Sequence, residues 1–226
     1  MEVKLISYSQ INKEVFEDTD VKNIEDIVAY CARVSNPSNQ DNTETNEKLL
    51  KYLIREKHWS PFEMVNVCLE ITTTRDIARQ ILRHRSFSFQ EFSQRYANPL
   101  DDLKSVRREA RLQDTKNRQN SIDTDDNALQ QSWNGQQDLV WLAAVKAYNW
   151  AIDRGIAKEQ ARAVLPEGLI ESRVYVNGTL RSWLHYIDLR EKNGTQKEHM
   201  EIARACADVI TKIFPMGATY LAPSKR

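Results

Sequence analysis

The sequence predicts an α+β fold, in which several helices accompany a small, antiparallel-type sheet within a single domain. The chain has 226 residues, which is too long for a disulfide-stapled miniprotein and short for two full domains. Some segments repeat apolar residues at the helical period, and others alternate apolar and polar residues as a half-buried strand does. Hydrophobic residues make up 41% of the chain, which is enough for one sizeable core.

The first third of the chain predicts two strands and two helices. Residues 3–8 (VKLISY) are typical of a short strand. Residues 24–34 carry apolar side chains at intervals of three and four, as do residues 49–54, and both patterns predict amphipathic helices. Residues 65–72 alternate Val, Val, Leu and Ile with more polar residues, which predicts a strand with one buried face.

A third helix is expected to begin at a capping box formed by Thr73 and Asp76 and to run to about Arg85. The alternation that follows predicts an extended segment with Glu91, Ser93 and Arg95 on one face. Residues 97–135 are polar and lack apolar periodicity, so they predict a long excursion with one short helix. We place this polar insert at about 98–137.

The remaining elements are predicted from the same two periods. A strand is expected at 171–176 (ESRVYV). Helices are expected at about 138–153, 158–164, 180–190 and 196–214.

Composition excludes several classes of protein. The three cysteines form no CxxC pair, which argues against a disulfide framework or a thiolate metal site. No apolar run approaches the ~20 residues that span a bilayer, and no signal peptide is evident, so a cytoplasmic protein without a membrane partner is expected. Lys plus Arg and Asp plus Glu number 32 each, so an anionic ligand must be recognised by local clusters of arginine.

The densest polar group runs from Ala78 to Tyr96. On a continuous helix, Gln80, Arg83 and His84 share one face, whereas Arg85 falls on the apolar side. Either the helix ends there, or the Arg85 guanidinium enters a partly buried site and needs an anionic partner, because a buried guanidinium is costly alone. Arginine side chains also match phosphate oxygens, so this group indicates an anion site. The alternative interpretation is a solvated helix face followed by an edge strand.

A second polar group lies towards the C-terminus. Arg181 and His185 share a helix face, Arg162 ends the preceding helix, and Arg190 falls on the apolar side with Trp183. An arginine that extends past a helix end would equally explain Arg190. The four histidines lack HxH or HExxH spacing, so no metal site is expected, and a lone His58 is more often structural.

Arg83, His84 and Arg85, with Ser93 after seven further residues, fit an RHRx7S signature, and the chain resembles the flavin-dependent thymidylate synthases that carry it. Five further blocks match in order: ARVS (Ala32 to Ser35), HWSPFE (His58 to Glu63), EFSQRY (Glu91 to Tyr96), ARAVLP (Ala161 to Pro166) and LRSWLHYIDLR (Leu180 to Arg190). The resemblance covers residues 30–200 and implies a mixed α+β fold that is an obligate oligomer, a homotetramer with active sites assembled from several subunits.

The resemblance also implies the chemistry: reductive methylation of dUMP to dTMP, with methylenetetrahydrofolate as carbon donor, NADPH as reductant and bound FAD as hydride relay. The positions that match flavin contacts are Ser60, Arg83, His84, Arg85, Glu91, Asn177, Arg181 and His185. The positions that match dUMP contacts are Gln80, Arg83, Glu91, Phe92, Ser93, Gln94, Arg95, Arg162 and Arg190. The catalytic candidates are Arg190 and His58, the second matching a histidine near the flavin ring.

Two features depart from the family pattern, and two other functions compete. Many relatives have glycine where this chain has Gln94, and the VNGTLR stretch that contains Asn177 is longer than in some relatives. A nucleic-acid-binding helical module, with Tyr96, Phe87 or Phe89 stacking on bases, would predict a basic net charge that the chain lacks. A flavin-binding oligomer without activity is opposed by the presence of Arg190, Arg162 and Ser93.

Overall fold

A computed structural model describes residues 1–192 and 194–221. Its main sheet has four antiparallel strands in the order β1-β2-β6-β3, and a separate hairpin pairs β4 with β5. The strands are β1 (Glu2–Tyr8), β2 (Asn66–Thr74), β3 (Phe87–Glu91), β4 (Arg111–Gln113), β5 (Ser121–Asp123) and β6 (Glu171–Thr179). The fold is therefore α+β with a small antiparallel sheet, as predicted.

The helices lie between and after these strands. They are α1 (Ile24–Ala32), α2 (Asn46–Arg55), α3 (Arg75–Ile81), α4 (Pro99–Asp102), α5 (Asn127–Asp153), α6 (Lys158–Ala161), α7 (Leu180–Arg190), α8 (Lys197–Ile213) and α9 (Gly217–Leu221). Short 3-10 helices occupy Pro37–Asn39, Ser60–Met64, Arg162–Val164 and Glu167–Leu169. Among the residues that the structure describes, none of the helices has the length and hydropathy that crossing a bilayer requires.

The core lies between one face of the sheet and helices α7 and α8. Val67, Leu69 and Ile71 alternate along β2 and are fully buried, as the period of two predicts. Trp183 of α7 is also fully buried, and its indole N–H donates a 2.9 Å hydrogen bond to the carbonyl of Val67. This bond satisfies the indole nitrogen inside an apolar core and joins α7 to the sheet.

A second, smaller cluster forms around α5. Tyr148 is fully buried there, and Leu103, Leu165 and Ile170 pack with it. Leu103 lies in the polar insert, so the insert is anchored to the body of the domain at this point.

Helix α3 ends earlier than predicted. It stops at Ile81 rather than Arg85, and Arg83 and His84 continue with tighter turns, their N–H groups bonding to the carbonyls of Gln80 and Ile81. The cause is the sheet, because β3 must begin at Phe87 to pair with Gly178 of β6. A Cβ on Gly178 would lie 2.3 Å from the Phe87 ring, so only glycine leaves room for this pairing.

The predicted capping box is also wrong. Thr74, not Thr73, is the N-cap of α3, and its side chain caps no backbone N–H. The Thr74 hydroxyl instead donates a 2.6 Å hydrogen bond to the Asp76 carboxylate.

The extended segment predicted to reach Arg95 ends at Glu91. The chain then turns, because the N–H groups of Tyr96 and Ala97 both bond to the carbonyl of Ser93. The insert contains more structure than predicted, namely α4, the β4–β5 hairpin and the first part of α5, which begins at Asn127 instead of about 138. Helix α9 was not predicted.

Candidate active site

The RHR segment forms the turn between α3 and β3 and separates its three side chains. Arg83 and Arg85 are exposed, and within the described part of the chain neither has an ion pair or a side-chain hydrogen bond. His84 is only partly exposed and points to α7, where its ring packs edge-on against Tyr186 with the centroids 4.9 Å apart. The motif thus presents two cations to the surface and one imidazole to the interior.

His84 accepts a hydrogen bond from Arg190, the last residue of α7. The distance from Arg190 Nε to His84 Nε2 is 2.9 Å. Burial, assisted by the positive charge of Arg190, lowers the pKa of His84 to about 4. The imidazole is therefore neutral at neutral pH, which leaves Nε2 free to accept this bond.

Gln80 of α3 lies in the same interior group. Its Oε1 is 3.1 Å from Nδ1 of His199, and its Nε2 donates a 2.8 Å hydrogen bond to Oε1 of Gln196. His199 is fully buried, and its Nε2 lies 3.0 Å from the hydroxyl of Tyr186. Burial is the main cause that lowers the pKa of His199 to about 3, so this ring is also neutral.

Glu91, at the end of β3, is held by a different set of side chains. Ser172 of β6 donates a 2.8 Å hydrogen bond to its Oε1. Guanidinium nitrogens of Arg75 and Arg79 each lie 3.5 Å from its carboxylate. Arg75 is only 5% exposed, so its charge depends on Glu91 and Glu167.

The remaining predicted nucleotide contacts lie beyond β3 and on the 3-10 turn after α6. Arg95 is exposed and forms a 3.2 Å ion pair with Glu159, and Arg162 donates a 3.4 Å hydrogen bond to the carbonyl of the same residue. Both arginines therefore contact the same residue, Arg95 through the Glu159 carboxylate and Arg162 through its backbone carbonyl. Gln94 is buried, and its Nε2 has no hydrogen-bond partner among the described residues. Phe92 packs on the smaller core cluster.

The predicted flavin contacts beyond the RHR turn group around the 3-10 helix Ser60–Met64 and α7. Arg181 forms an ion pair with Glu63, and His185 packs edge-on against Trp59 with the ring centroids 4.5 Å apart. His58 and Ser60 are exposed beside them, and Asn177 is exposed on β6. The side chains of the 3-10 helix and α7 lie on the helical side of the sheet, whereas Asn177 lies on its exposed face, because the neighbouring Val176 faces the core.

The structure thus brings together Gln80, His84 and Arg190, and it separately places Arg95 and Arg162 in contact with Glu159. No described hydrogen bond or ion pair joins these two groups within one chain. Sequence reasoning missed the supporting side chains. These are Tyr186, Gln196 and His199 beside the group that contains Gln80, and Ser172 beside Glu91. A polar residue at a buried position was the only available signal, as at Ser172, which precedes the apolar alternation of β6.

The chain is similar to several known proteins. Residues 15–216 match a family model described as thymidylate synthase complementing protein. The chain is 49% identical over 221 residues to a probable flavin-dependent thymidylate synthase of Paramecium bursaria Chlorella virus 1, covering 98% of this chain and 99% of that protein. It is 48% identical over 221 residues to the flavin-dependent thymidylate synthase of Synechocystis sp., with the same coverage.

A solved structure shares the fold. The UMP/dUMP methylase PolB from Streptomyces cacaoi, bound with 5-Br dUMP, matches with a TM-score of 0.75 at 22% identity. The match covers 97% of this chain and 93% of that one.

Proposed function

Since the chain belongs to the flavin-dependent thymidylate synthase family, we propose that it converts dUMP to dTMP with FAD as cofactor, methylenetetrahydrofolate as carbon donor and NADPH as reductant. The observation that carries the proposal is the meeting of Gln80 and His84, at the end of α3, with Arg190, which lies 106 residues beyond His84 in the sequence. Their proximity supports a site rather than a solvated helix face.

Arg190 is the cation that we assign to the uracil ring. C5 of uracil is a weak nucleophile, and a fixed positive charge beside the ring stabilises the negative charge that develops as C5 attacks an electrophilic carbon. His84 holds the Nε–H of Arg190. Among the described residues, the two terminal nitrogens of this guanidinium have no protein partner, so they are free for a ligand.

Arg95 and Arg162 suit the nucleotide phosphate. Guanidinium groups match phosphate oxygens in bidentate geometry, and these two both contact Glu159. The Ser93 hydroxyl lies in the same turn as Arg95. Glu91, Phe92 and Gln94 complete the proposed nucleotide surface. Gln94 is buried, and its Nε2, which has no partner among the described residues, is the group that we assign to the nucleotide.

The residues present also fit FAD. Arg83 and Arg85 are exposed cations without described acidic partners, which suits a pyrophosphate or an anionic reduced flavin. Ser60, His58, Arg181, His185, Glu91 and Asn177 are the further residues that would hold the cofactor. When bound, FAD supplies the hydride transfer between reductant and nascent methyl group.

The cysteines support a mechanism without a thiolate nucleophile. Burial raises the pKa of the Cys31, Cys68 and Cys206 thiols, most strongly for the fully buried Cys206. A nucleophilic cysteine needs the opposite shift. Fixed charge from Arg190 is therefore the activating group that we propose in place of a covalent bond to C5.

Helix α5 supports assembly into a homotetramer with shared sites. Its apolar side chains Leu139, Val140, Leu142 and Trp150 are between 53% and 65% exposed. Leu139, Leu142 and Trp150 share one face of the helix at 100° per residue, and large exposed apolar side chains on one face are typical of an interface between subunits. Assembly would also explain why the Arg95 and Arg162 pair does not contact the Arg190 group within one chain.

Flavin absorbance tests the proposal directly. Purified protein should bind FAD, lose its yellow absorbance with NADPH, and regain it when dUMP and methylenetetrahydrofolate are added together, with dTMP as product. Omission of dUMP is the control for product formation. Protein that binds no FAD but shifts the mobility of an oligonucleotide would contradict the proposal and favour a nucleic-acid-binding module.

A further inference from the structure

We propose that Glu198 is a positioning residue that fixes the orientation of the Gln80 amide through Gln196, and that the polar insert exists partly to hold Glu198 in place. This inference rests on the proposed function, in which Gln80 contacts the nucleotide. It gives the insert a role in the site, although no insert residue contacts a proposed ligand.

Glu198, in the first turn of α8, is the anchor. Arg111 and Arg108 of the insert both reach its carboxylate, the second with Nη1 3.1 Å from Oε2. The side chains of all three residues are at most 15% exposed. Arg108 also forms bonds of 2.7 and 2.9 Å with the Asp76 carboxylate of α3. Ion pairs therefore connect the insert to α3, which carries Gln80, and to α8, which carries His199.

The carboxylate sets the direction of a chain of hydrogen bonds. An ionised carboxylate only accepts, so the 2.9 Å contact with Gln196 must use the Nε2 of Gln196 as donor. The Oε1 of Gln196 is then left to accept from Gln80 Nε2, at 2.8 Å. Gln80 Oε1 must consequently face His199 Nδ1, which donates, while His199 Nε2 accepts from the Tyr186 hydroxyl.

This direction determines what Gln80 offers to a ligand. One N–H of its amide and one lone pair of its oxygen remain free, and their relative positions cannot exchange while the chain is intact. Without Glu198, Gln196 could reverse its amide, and Gln80 could then reverse as well. A nucleotide that reads a donor and an acceptor in fixed order would bind more weakly to the mixed population.

Two variants break the chain at different links. Gln196→Leu removes the relay at a half-exposed position before α8, and Glu198→Gln replaces the obligate acceptor with an amide. Each should raise KM for dUMP about tenfold, leave kcat within about threefold and leave FAD binding unchanged. Glu109→Gln is the matched control, because Glu109 pairs with Lys197 from the same insert but lies outside the chain. It should leave both constants unchanged.

The tautomer of His199 provides a readout that needs no ligand. In protein with ¹⁵N-labelled histidine, His199 should be neutral with the proton on Nδ1 at pH 7, and protonation on Nε2 would overturn the proposed direction.

The outcomes separate the two proposals. Wild-type protein that binds no dUMP in calorimetry would remove the proposed function and this inference together. Wild-type protein that binds dUMP, with Gln196→Leu and Glu198→Gln binding equally well, would remove this inference alone. Should Glu198→Gln fail to fold, judged by thermal unfolding, Gln196→Leu decides the matter.

Discussion

The hydroxyl of Ser172 donates a 2.8 Å hydrogen bond to Oε1 of Glu91 and thereby links the neighbouring strands β6 and β3. Ser172 is fully buried at the start of β6, and Glu91 ends β3 beside it. The Glu91 carboxylate is therefore held by one neutral hydroxyl donor and by the two cations Arg75 and Arg79. A residue proposed to contact both flavin and nucleotide is held before either ligand binds.

Ser172→Ala should loosen this carboxylate. We expect kcat/KM for dUMP to fall about fivefold, because one hydrogen bond of ~1 kcal/mol is lost and the buried methyl group replaces it without strain. Steady-state kinetics would measure the change. Ser88→Ala, at an exposed position on β3, is the control, and equal kinetics in the two variants would refute the role of Ser172.

Arg190→Ala should reduce turnover by about 100-fold or more while FAD stays bound, since the role that we propose for this fixed charge is at the uracil and not in cofactor retention. Single-turnover absorbance of the bound flavin would separate the two effects. Arg190→Lys, which keeps a charge without the Nε–H bond to His84, should give an intermediate rate. Loss of FAD in Arg190→Ala would contradict the division of roles.

Arg85→Ala should weaken FAD retention about tenfold, because the variant removes an exposed cation that has no described partner in the protein. Fluorescence titration of the apoprotein with FAD would measure the affinity. Arg173→Ala removes an exposed arginine from β6 and should retain the wild-type affinity. An equal loss of flavin and of turnover in both Arg85→Ala and Arg190→Ala would show that the two arginines are not specialised.

Stability should fall as the pH drops from 7 to 5. The folded-state pKa values of His84 and His199, about 4 and about 3, lie below the ordinary value of 6.5. Between pH 7 and 5 these histidines bind protons in the unfolded chain but not in the folded chain. Each histidine therefore lowers the free energy of unfolding by up to ~1.4 kcal/mol per pH unit as the pH falls.

Urea unfolding at several pH values would measure this slope. His199→Asn, whose amide replaces the Nδ1 donor, should make the slope shallower. A slope identical to that of the wild type would show that His199 is not a source of the pH dependence.

Leu142→Asp should dissociate the oligomer and abolish turnover, because a charge on the exposed apolar face of α5 cannot be buried between subunits. Analytical ultracentrifugation and activity assays would be performed on the same sample. Ser38→Asp adds the same charge at an exposed position of the 3-10 helix Pro37–Asn39, outside α5, and is the control. A monomer with full turnover would refute shared active sites.

The sequence predicted most of the elements because their burial follows a simple period. The alternation in β2 and the apolar stripes of α1, α2 and α8 all face the core. The end of α3 could not be predicted, because Arg83 and Arg85 are compatible with a helix and only the pairing of Phe87 with β6 ends it. The sequence did not predict the start of α5 at Asn127, because the first turns of this helix are polar and many of its apolar residues are exposed.

Only part of the candidate site could be predicted from the sequence. The motif and its neighbouring blocks indicated the arginines, and the structure brings Arg190 to His84 and both Arg95 and Arg162 to Glu159. The supporting side chains could not be identified, because Gln196 and His199 are ordinary residue types whose contacts with Gln80 span more than 100 positions. Their roles arise from tertiary packing and not from a local pattern.

The partner of Arg190 has a consequence for its electrostatics. A carboxylate in the place of His84 would hold the guanidinium equally well, but the pair would be close to neutral overall. An uncharged imidazole aims the arginine without offsetting its field. The positive charge of Arg190 is thus not neutralised by its partner, and because the guanidinium is only partly exposed, solvent ions screen its attraction for an anion only weakly.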